Sequence, residues 1–289
     1  MPELPEVETV RRGLEPALAG ARLTRVEARR PDLRFPLPDG FVQRLTGARV
    51  LRLQRRGKYI LAPLDRGSTL IMHLGMTGRF QVEGAGTPMA EQPGDFARAA
   101  PADPKHAHIV FETDAGARVT YFDSRRFGFM DIAETGALSN HPRFAGMGPE
   151  PLGEAFDAAG LKAAFAGRRQ NPKSLLLDQR IVAGLGNIYV NEALHRAGVS
   201  PLKPAGRLKD RALRDIVEAV RAVLAEAIVA GGSTLRDFSS TEGAMGYFQH
   251  AFEVYGRAGQ PCLTPGCGGV VRRLVQAGRS TFYCPVCQR

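Results

Sequence analysis

Residues 262–287 read CLTPGCGGVVRRLVQAGRSTFYCPVC and contain all four cysteines of the 289-residue chain. Two pairs, Cys262-x4-Cys267 and Cys284-x2-Cys287, flank a spacer of 16 residues, which is the length of a β-hairpin. Four thiolates suit one tetrahedral zinc ion, and a module this small has too little apolar core to fold without such a cross-link. We therefore predict one structural Zn²⁺ with no open coordination position. Four unrelated or disulfide-bonded cysteines are the alternative, which the paired spacing disfavours.

The charge of the chain favours a polyanionic partner. Lys and Arg number 39 against 29 Asp and Glu, which gives a net charge of +10 and a pI near 9.9. Residues 255–289 contain five arginines and no acidic residue. Nucleic acid is the first candidate and an anionic membrane the second, with Arg279 at the predicted hairpin turn as the best-placed phosphate ligand. A basic surface that is merely solvated is the alternative.

Upstream of this tail the periodicity of apolar residues changes twice. Spacings of three and four predict an amphipathic helix over residues 4–19 that ends near Gly20. Residues 22–135 consist of short β-rich runs separated by Gly, Pro and Asp, as in a sandwich or barrel. Helical spacing follows after about residue 148 and is clearest over residues 207–232. The chain is therefore predicted to be an α+β multidomain protein: an N-terminal β-sandwich with an N-terminal helix, a helical domain and a zinc finger.

The predicted domains are residues 1–148, 149–254 and 255–289. Two stretches rich in small residues, 84–104 and 237–249, are predicted to be loops. The chain has no signal-peptide core and no apolar run near ~20 residues, so we expect a soluble, cytoplasmic protein.

The N-terminus places an amine beside carboxylates. Removal of the initiator Met leaves the secondary amine of Pro2 free, and an α-amine titrates near ~8, so that a fraction is nucleophilic at neutral pH. Glu3 follows, and Glu6 lies about one helical turn further on. A nucleophilic amine and a proton shuttle are what imine chemistry at a sugar carbon requires. By itself the pattern is more typical of a frayed chain end.

Six motifs along the chain resemble the formamidopyrimidine-DNA glycosylase family of bacterial base-excision repair enzymes. The resemblance runs from residue 2 to residue 287. The motifs are MPELPEVETVRRGLEP at 1–16, QRRGKY at 54–59, HLGMTGR at 73–79, DSRRFG at 123–128, GLGNIYVNEAL at 184–194 and the four-cysteine tail.

The resemblance implies a bifunctional DNA glycosylase/AP lyase that acts as a monomer on duplex DNA containing oxidised purines (8-oxoguanine, formamidopyrimidines). Pro2 would attack C1′ of the damaged nucleotide, expel the base and form a Schiff base, with Glu3 as the acid/base. Lys58 would bind phosphate and assist β-elimination, and Arg279 would grip phosphate and assist δ-elimination. No redox cofactor or catalytic metal is implied.

The resemblance also implies how the damaged base is extracted. Met76, Arg125 and Phe127 match the three residues that fill the void in the duplex, with Arg125 favouring cytosine as the opposite base. Ordinary β-core packing is the alternative for Met76 and Phe127. The 237–249 loop lies where the family has a flexible segment over the extruded base.

Further residues are implied to contact phosphates without reading sequence. Asn187 follows Gly184-x-Gly186 in a stretch that resembles the hairpin of the family's helix–two-turns–helix motif, which assigns that motif to the helical domain. His106 and His108 could instead be a pair on one strand face without a ligand, and His73 could be a satisfied core residue. The implied phosphate contacts, besides Lys58 and Arg279, are His106, Arg168, Lys173 and Asn187.

The chain departs from the family pattern in the Cys262–Cys267 spacing and in the length of the 84–104 loop, and Arg168 lies in a variable basic stretch. A related family, the endonuclease VIII-like glycosylases, shares the proline nucleophile and the zinc tail but prefers oxidised pyrimidines. Leu4, together with Met76, Arg125 and Phe127, favours the formamidopyrimidine branch. A zinc-ribbon protein that binds nucleic acid without catalysis is the alternative from a different class.

Overall fold

A computed structural model of the protein describes residues 2–84, 103–233 and 247–289. The predicted loop at 84–104 lies outside the described residues except at its ends, and so does the loop at 237–249 except for its last three residues.

The chain forms two compact units. The first, called the N-terminal unit here, is Met1–Ala145 with Ala230–Tyr247. The second, the C-terminal unit, is Gly146–Val229 with Phe248–Arg289. The zinc-finger segment thus belongs to the same unit as the helices. The three-domain division with boundaries after residues 148 and 254 stays a prediction.

Two antiparallel four-stranded sheets build the N-terminal unit, in the orders β1-β6-β7-β5 and β2-β3-β4-β8. One hydrophobic core contains side chains of both sheets, such as Ile60 and Phe111, as a sandwich requires. The predicted β-sandwich is confirmed. Its strands are β1 Leu23–Ala28, β2 Gln54–Arg56, β3 Tyr59–Pro63, β4 Ser68–His73, β5 Arg79–Glu83, β6 Ala107–Thr113, β7 Arg118–Phe122 and β8 Phe129–Glu134.

The predicted N-terminal helix, α1, spans Leu4–Leu18. Its apolar stripe, which includes Val7, Val10 and Leu14, is buried in the same core as the sheets. A proline in the first turn and the acidic Glu6 suit the amino end of a helix. This packing fixes the direction in which the chain enters the sandwich. A second short helix, α2, is Phe41–Leu45.

Helices and one hairpin build the C-terminal unit. The long helix α6 packs against α3 and α5, and α5 also contacts strand β10 of the hairpin. The predicted helical region and the predicted hairpin are confirmed. The elements are α3 Ala158–Phe165, α4 Pro172–Leu176, α5 Asn187–Arg196, α6 Asp210–Val229, β9 Arg272–Gln276 and β10 Arg279–Tyr283.

In the described parts of the chain, no helix combines the length and the apolar composition that crossing a bilayer needs.

Candidate active site and nucleic-acid interface

The amino end of α1 is held by a buried carboxylate. Pro2 and Glu3 are both buried, and Glu3 is the residue that caps the helix. Glu6 accepts the Glu3 N–H on one oxygen, at 2.8 Å. Its other oxygen accepts the N–H of Ser233 at 2.8 Å and the Ser233 hydroxyl at 3.0 Å. The backbone next to Pro2 is therefore held in position by the Glu6 carboxylate.

Gly232, directly before Ser233, packs closely against the Glu6 side chain. Gly232 has φ +82°, and a Cβ there would lie 3.0 Å from Glu6 Oε1. The sequence predicts a carboxylate at Glu6 beside the amine, but it gives no signal for Ser233, which lies 227 residues away. This partner was missed.

Lys58 is buried in the turn between β2 and β3, on the same unit as Pro2 and Glu3. Its charge acts on His73, whose pKa is lowered to about 4 by burial first and then by Lys58, Arg34 and Arg143. His73 is therefore neutral at physiological pH, and its Nδ1 accepts the Gly75 N–H at 3.1 Å. The ring stacks on Phe129 with centroids 5.1 Å apart. These contacts support the interpretation of His73 as a satisfied core residue.

The turns that carry the predicted void-filling residues lie against each other. Gly75 has φ +64°, and a Cβ there would collide with the backbone of Phe127 and of Gly128. Arg125 is exposed, and its guanidinium carbon lies 4.7 Å from the centroid of the Phe127 ring. Phe127 is 40% exposed, which does not fit the alternative of β-core packing. Met76 is half-buried. The structure thus brings together the two turns that carry the three predicted residues.

The two histidines near β6 have different environments. His106 ends a short 3₁₀ helix, Pro104–His106, and is half-buried. His108 is buried, and its Nε2 lies 2.9 Å from the carbonyl oxygen of Asp123. Burial lowers the pKa of His108. His108 is therefore a structural residue, in agreement with the alternative that assigned it no ligand.

A further cationic cluster on this unit was missed. The guanidinium carbon of Arg143 lies 4.6 Å from the ring centroids of both Phe35 and Phe129. Phe35 is exposed, and the guanidinium carbon of Arg34 lies 5.6 Å from the centroid of its ring. Nothing in the spacing of these residues along the chain signals the cluster.

Lys173 differs from the expectation of a free phosphate ligand. Its side chain is 1% exposed. The ammonium donates to the carbonyl oxygen of Ser280 and to the hydroxyl of Thr281, each at 2.7 Å. An ammonium buried with these partners positions the hairpin, because leaving it unpaired would cost its full desolvation. The side chain of Arg168, in contrast, is exposed.

Two asparagines of α5 hold the same hairpin. Asn187 Nδ2 donates to the carbonyl oxygen of Ser280 at 3.2 Å, and Asn191 Oδ1 accepts the Phe282 N–H at 2.8 Å. Asn187 Oδ1 is buried, and none of the described residues donates to it. Because these contacts fix residues 280 and 282, they also set where the neighbouring Arg279 emerges.

The four cysteines converge as predicted. Their Sγ atoms all lie within 4.8 Å of one another, with 3.7 Å between Cys262 and Cys287 and 3.5 Å between Cys267 and Cys284. A zinc–sulfur distance of ~2.3 Å gives a tetrahedral edge of roughly 3.8 Å, close to these two separations. The residues fit one structural zinc, despite the longer first spacing.

Arg279 opens β10 directly after a two-residue turn. Its register partner across the hairpin is Gln276, and the turn residues Ala277 and Gly278 have φ of 48° and 72°. Two successive positive φ angles are typical of a type I′ turn. Arg279 is exposed. The predicted position of Arg279 at a hairpin turn is confirmed.

Three family models match successive parts of the chain. They are the formamidopyrimidine-DNA glycosylase N-terminal domain at residues 1–130, its H2TH domain at 147–239, and a zinc finger found in FPG and IleRS at 259–289. The order of the three models follows the order of the sandwich, the helices and the cysteine module.

Proteins similar over the full length carry the same family name. A formamidopyrimidine-DNA glycosylase of Caulobacter vibrioides is 68% identical over 288 residues, which cover 100% of both chains. The crystal structure of the MutM (Fpg) protein from Thermus thermophilus is 40% identical with a TM-score of 0.82, covering 99% of this chain and 98% of that one.

Fpg from Lactococcus lactis, in complex with DNA containing an abasic site, is 32% identical with a TM-score of 0.83, and 100% of each chain is covered. Other complexes of that protein hold DNA containing N7-benzyl-Fapy-dG or an oxidised pyrimidine. The chain therefore shares its fold with these proteins over its whole length, and its cysteine module matches the zinc-finger model of the family. The chain belongs to the formamidopyrimidine-DNA glycosylase family, the zinc-finger DNA glycosylase/AP lyases of base-excision repair.

Proposed function

We propose that this protein removes oxidised purines, 8-oxoguanine and formamidopyrimidines, from duplex DNA and then cleaves the strand by β,δ-elimination. The observation that carries the proposal is the fixed N-terminal segment, in which Glu6 binds the Glu3 N–H and Ser233. A terminal amine needs such a rigid anchor to attack a carbon atom at close range. The DNA-bound relatives support duplex DNA with lesions as the ligand.

The first half of the reaction needs a nucleophile and one acid. After removal of Met1, the lone pair of the Pro2 nitrogen forms a bond to C1′, and the bond from C1′ to the base breaks. Glu3 donates a proton to the sugar ring oxygen or to the departing base. Opening of the sugar ring leaves an iminium between Pro2 and C1′, and the proton of the amine passes to the Glu3 carboxylate.

The second half breaks two carbon–oxygen bonds. The iminium acidifies the neighbouring C2′ hydrogen, and its loss expels the 3′ phosphate, with Lys58 near the leaving oxygen. A further proton loss expels the 5′ phosphate, with Arg279 as its partner. Water then releases the sugar fragment from Pro2 and restores the amine. Phosphates remain at both ends of a one-nucleotide gap.

The residues that hold the DNA divide by role. Met76, Arg125 and Phe127 fill the void left by the extruded base, because Arg125 and Phe127 are exposed, Met76 is half-buried and the turns that carry them meet. Zinc holds the finger and takes part in no step. The phosphate contacts are Lys58, His106, Arg168, Asn187 and Arg279, whereas Lys173 acts on Arg279 through the hairpin.

The protein is proposed to work as a cytoplasmic monomer with domains at residues 1–148, 149–254 and 255–289. The H2TH match at 147–239 and the zinc-finger match at 259–289 support this division.

Excision from defined duplexes tests the function. We expect release of 8-oxoguanine opposite cytosine, and far slower release of thymine glycol or dihydrouracil. Glu3→Gln removes the proton donor and should lower excision at least about a hundredfold, in the range that general acid catalysis provides. The matched control is Glu15→Gln on the same helix, because Glu15 is 45% exposed and pairs only with Arg11 among the described ion pairs. Its rate should equal that of the unmodified protein.

A preference for the pyrimidine lesions would overturn the proposed substrate class and favour the endonuclease VIII-like alternative. Duplexes with oxidised pyrimidines are included in the test because one complex of the Lactococcus lactis relative contains such a lesion. Binding of every duplex without release of any base would overturn the enzyme and leave a zinc-ribbon DNA-binding protein.

A further inference from the structure

We infer that Asp123 is a positioning residue that sets the geometry of all three void-filling side chains through one buried carboxylate. The side chain of Asp123 is 0% exposed. It follows β7 and begins the DSRRFG segment that carries Arg125 and Phe127. The inference rests on the proposed role of these residues in DNA.

One oxygen of the carboxylate joins two turns. Asp123 Oδ1 accepts a hydrogen bond from the Thr77 hydroxyl and lies 3.3 Å from the backbone nitrogen of Arg125. The Arg125 N–H also points to Thr77 Oγ1, at 3.2 Å. Thr77 directly follows Met76 in the chain. The carboxylate and one hydroxyl therefore connect the Met76 turn to the Arg125 turn, across 46 residues of sequence.

The other oxygen fixes the far end of the second turn. Asp123 Oδ2 accepts the Gly128 N–H at 2.8 Å and the Tyr121 hydroxyl at 3.2 Å. Burial first, and then Asp123, raise the pKa of Tyr121 well above its usual range, so this hydroxyl remains a donor. Arg125 and Gly128 flank Phe127 on both sides. A single buried group thus holds the backbone before and after the exposed ring.

The backbone between these two anchors is strained. Arg126 has φ +55°, a left-handed conformation that residues with a side chain rarely adopt. Such a conformation persists only where the surrounding contacts enforce it. The amides on either side of Arg126, at residues 125 and 128, are the ones bound by Asp123. The strained conformation therefore directs the side chains of Arg125 and Phe127 toward solvent.

The main chain and the charge of Asp123 make further contacts with neighbouring histidines. The main chain of Asp123 is fixed too, because its N–H donates to the carbonyl oxygen of His106 at 3.1 Å and its carbonyl oxygen lies 2.9 Å from His108 Nε2. The charge of Asp123 also acts on His73. A carboxylate with donors on both oxygens cannot be replaced by an amide without placing an NH₂ against a donor.

Opposite-base discrimination separates positioning from simple stabilisation. The readout is the ratio of kcat/KM for 8-oxoguanine opposite cytosine to that opposite adenine, measured on folded protein. Thr77→Val keeps the shape of the side chain but removes the hydroxyl, and Asp123→Asn removes one acceptor. Thr77→Ser restores the hydroxyl. Thr46→Val is the matched control, because the Thr46 hydroxyl donates to the Val42 carbonyl at 2.8 Å in α2, on an element that carries no site residue.

We expect Thr77→Val and Asp123→Asn to lower the ratio at least about fivefold, toward that of Arg125→Ala, because a misplaced Arg125 no longer reads the opposite base. Thr77→Ser and Thr46→Val should keep the ratio of the unmodified protein. Equal losses on both duplexes in Thr77→Val, with the ratio unchanged, would overturn the inference and leave the proposed function intact. An unchanged ratio in Arg125→Ala would show that Arg125 does not recognise the opposite base, and it would overturn the inference as well.

Discussion

Two turns of this protein share an uncommon backbone conformation but are held in place by different means. Arg126, with φ 55°, and Ala277, with φ 48°, are the non-glycine residues with positive φ in the described parts of the chain. Each lies beside an arginine of the proposed site, Arg125 in the first turn and Arg279 in the second. Left-handed backbone is uncommon for residues that carry a side chain.

The supports of the two turns differ in range and chemistry. Asp123 holds the first turn inside the sandwich through the amides of Arg125 and Gly128, which follow it closely in the chain. The second turn depends on Lys173 and Asn191, whose hydrogen bonds to the hairpin span 107 and 91 residues, and on the four-cysteine cluster. The first turn therefore depends mostly on a carboxylate close to it in the chain, with Thr77 as a more distant partner in the same unit, whereas the second depends on the helices of the C-terminal unit and on the cysteine cluster.

Loss of the metal should have the largest effect and should act on the second turn. Removing zinc leaves the finger without its cross-link, since so small a module has little core of its own. We expect DNA affinity to fall by about tenfold or more as Arg279 loses its position, with recovery on adding zinc back. Fluorescence anisotropy with an abasic-site duplex measures this. Affinity within about twofold of the zinc-loaded protein would show that the finger does not hold Arg279.

Substitution of Lys173 should have the next largest effect. Lys173→Met keeps the length of the side chain but removes the donor to the Thr281 hydroxyl and the shorter of two hydrogen bonds to the Ser280 carbonyl, at a cost of about 1–3 kcal/mol of unfolding free energy. DNA affinity should fall with it. Lys162→Met is the control, because Lys162 is 64% exposed and its pair with Asp210 lies on the surface. Denaturant unfolding of both variants measures the difference, and equal stabilities would contradict the assigned role of Lys173.

Acid should lower the stability of the unit that contains the first turn, through His73. Its pKa is about 4 in the folded protein, below the ordinary value of about 6.5 in the unfolded chain. Between these values the unfolded chain binds the extra proton, so the free energy of unfolding falls as pH drops from about 6.5 to about 4, by roughly 2–3 kcal/mol. His73→Phe should flatten this slope. Chemical denaturation at several pH values measures it, and identical slopes for the two proteins would exclude His73 as the cause.

Relief of backbone strain should have the smallest effect. Glycine adopts positive φ freely, so Ala277→Gly should raise stability by up to about 1 kcal/mol. Arg126→Gly should raise stability by a similar amount. It should also leave the Arg125 side chain less fixed in direction, because the turn becomes more flexible although the amides of residues 125 and 128 remain bound to Asp123. Thermal unfolding and the cytosine-to-adenine ratio report the two effects. A destabilised Ala277→Gly variant would mean that this turn is not strained.

Patterns local in sequence predicted much of the fold. The apolar spacing of α1, the β-rich runs of the sandwich and the paired cysteines each reflect neighbours along the chain, and the structure confirms all three. The motifs also predicted Met76, Arg125 and Phe127 as the void-filling residues; the two turns that carry them meet, and their role stays a prediction.

Contacts between residues distant in sequence could not be predicted. Ser233 as the partner of Glu6, Thr77 as the partner of Asp123 and Ser280 as the partner of Lys173 depend on how elements pack. Lys173 was expected at a phosphate because of its charge and the resemblance to the family. The sequence carries no signal that the folded chain buries its ammonium under the hairpin.

Borohydride trapping on abasic-site DNA tests the central claim most directly. If the Pro2 amine forms the Schiff base, hydride reduction of the iminium will join protein and DNA through a stable carbon–nitrogen bond. Proteolysis and mass spectrometry should then place the sugar fragment on the peptide that begins with Pro2, and protein that retains Met1 should give no adduct. An adduct on a lysine, or none with correctly processed protein, would contradict the account.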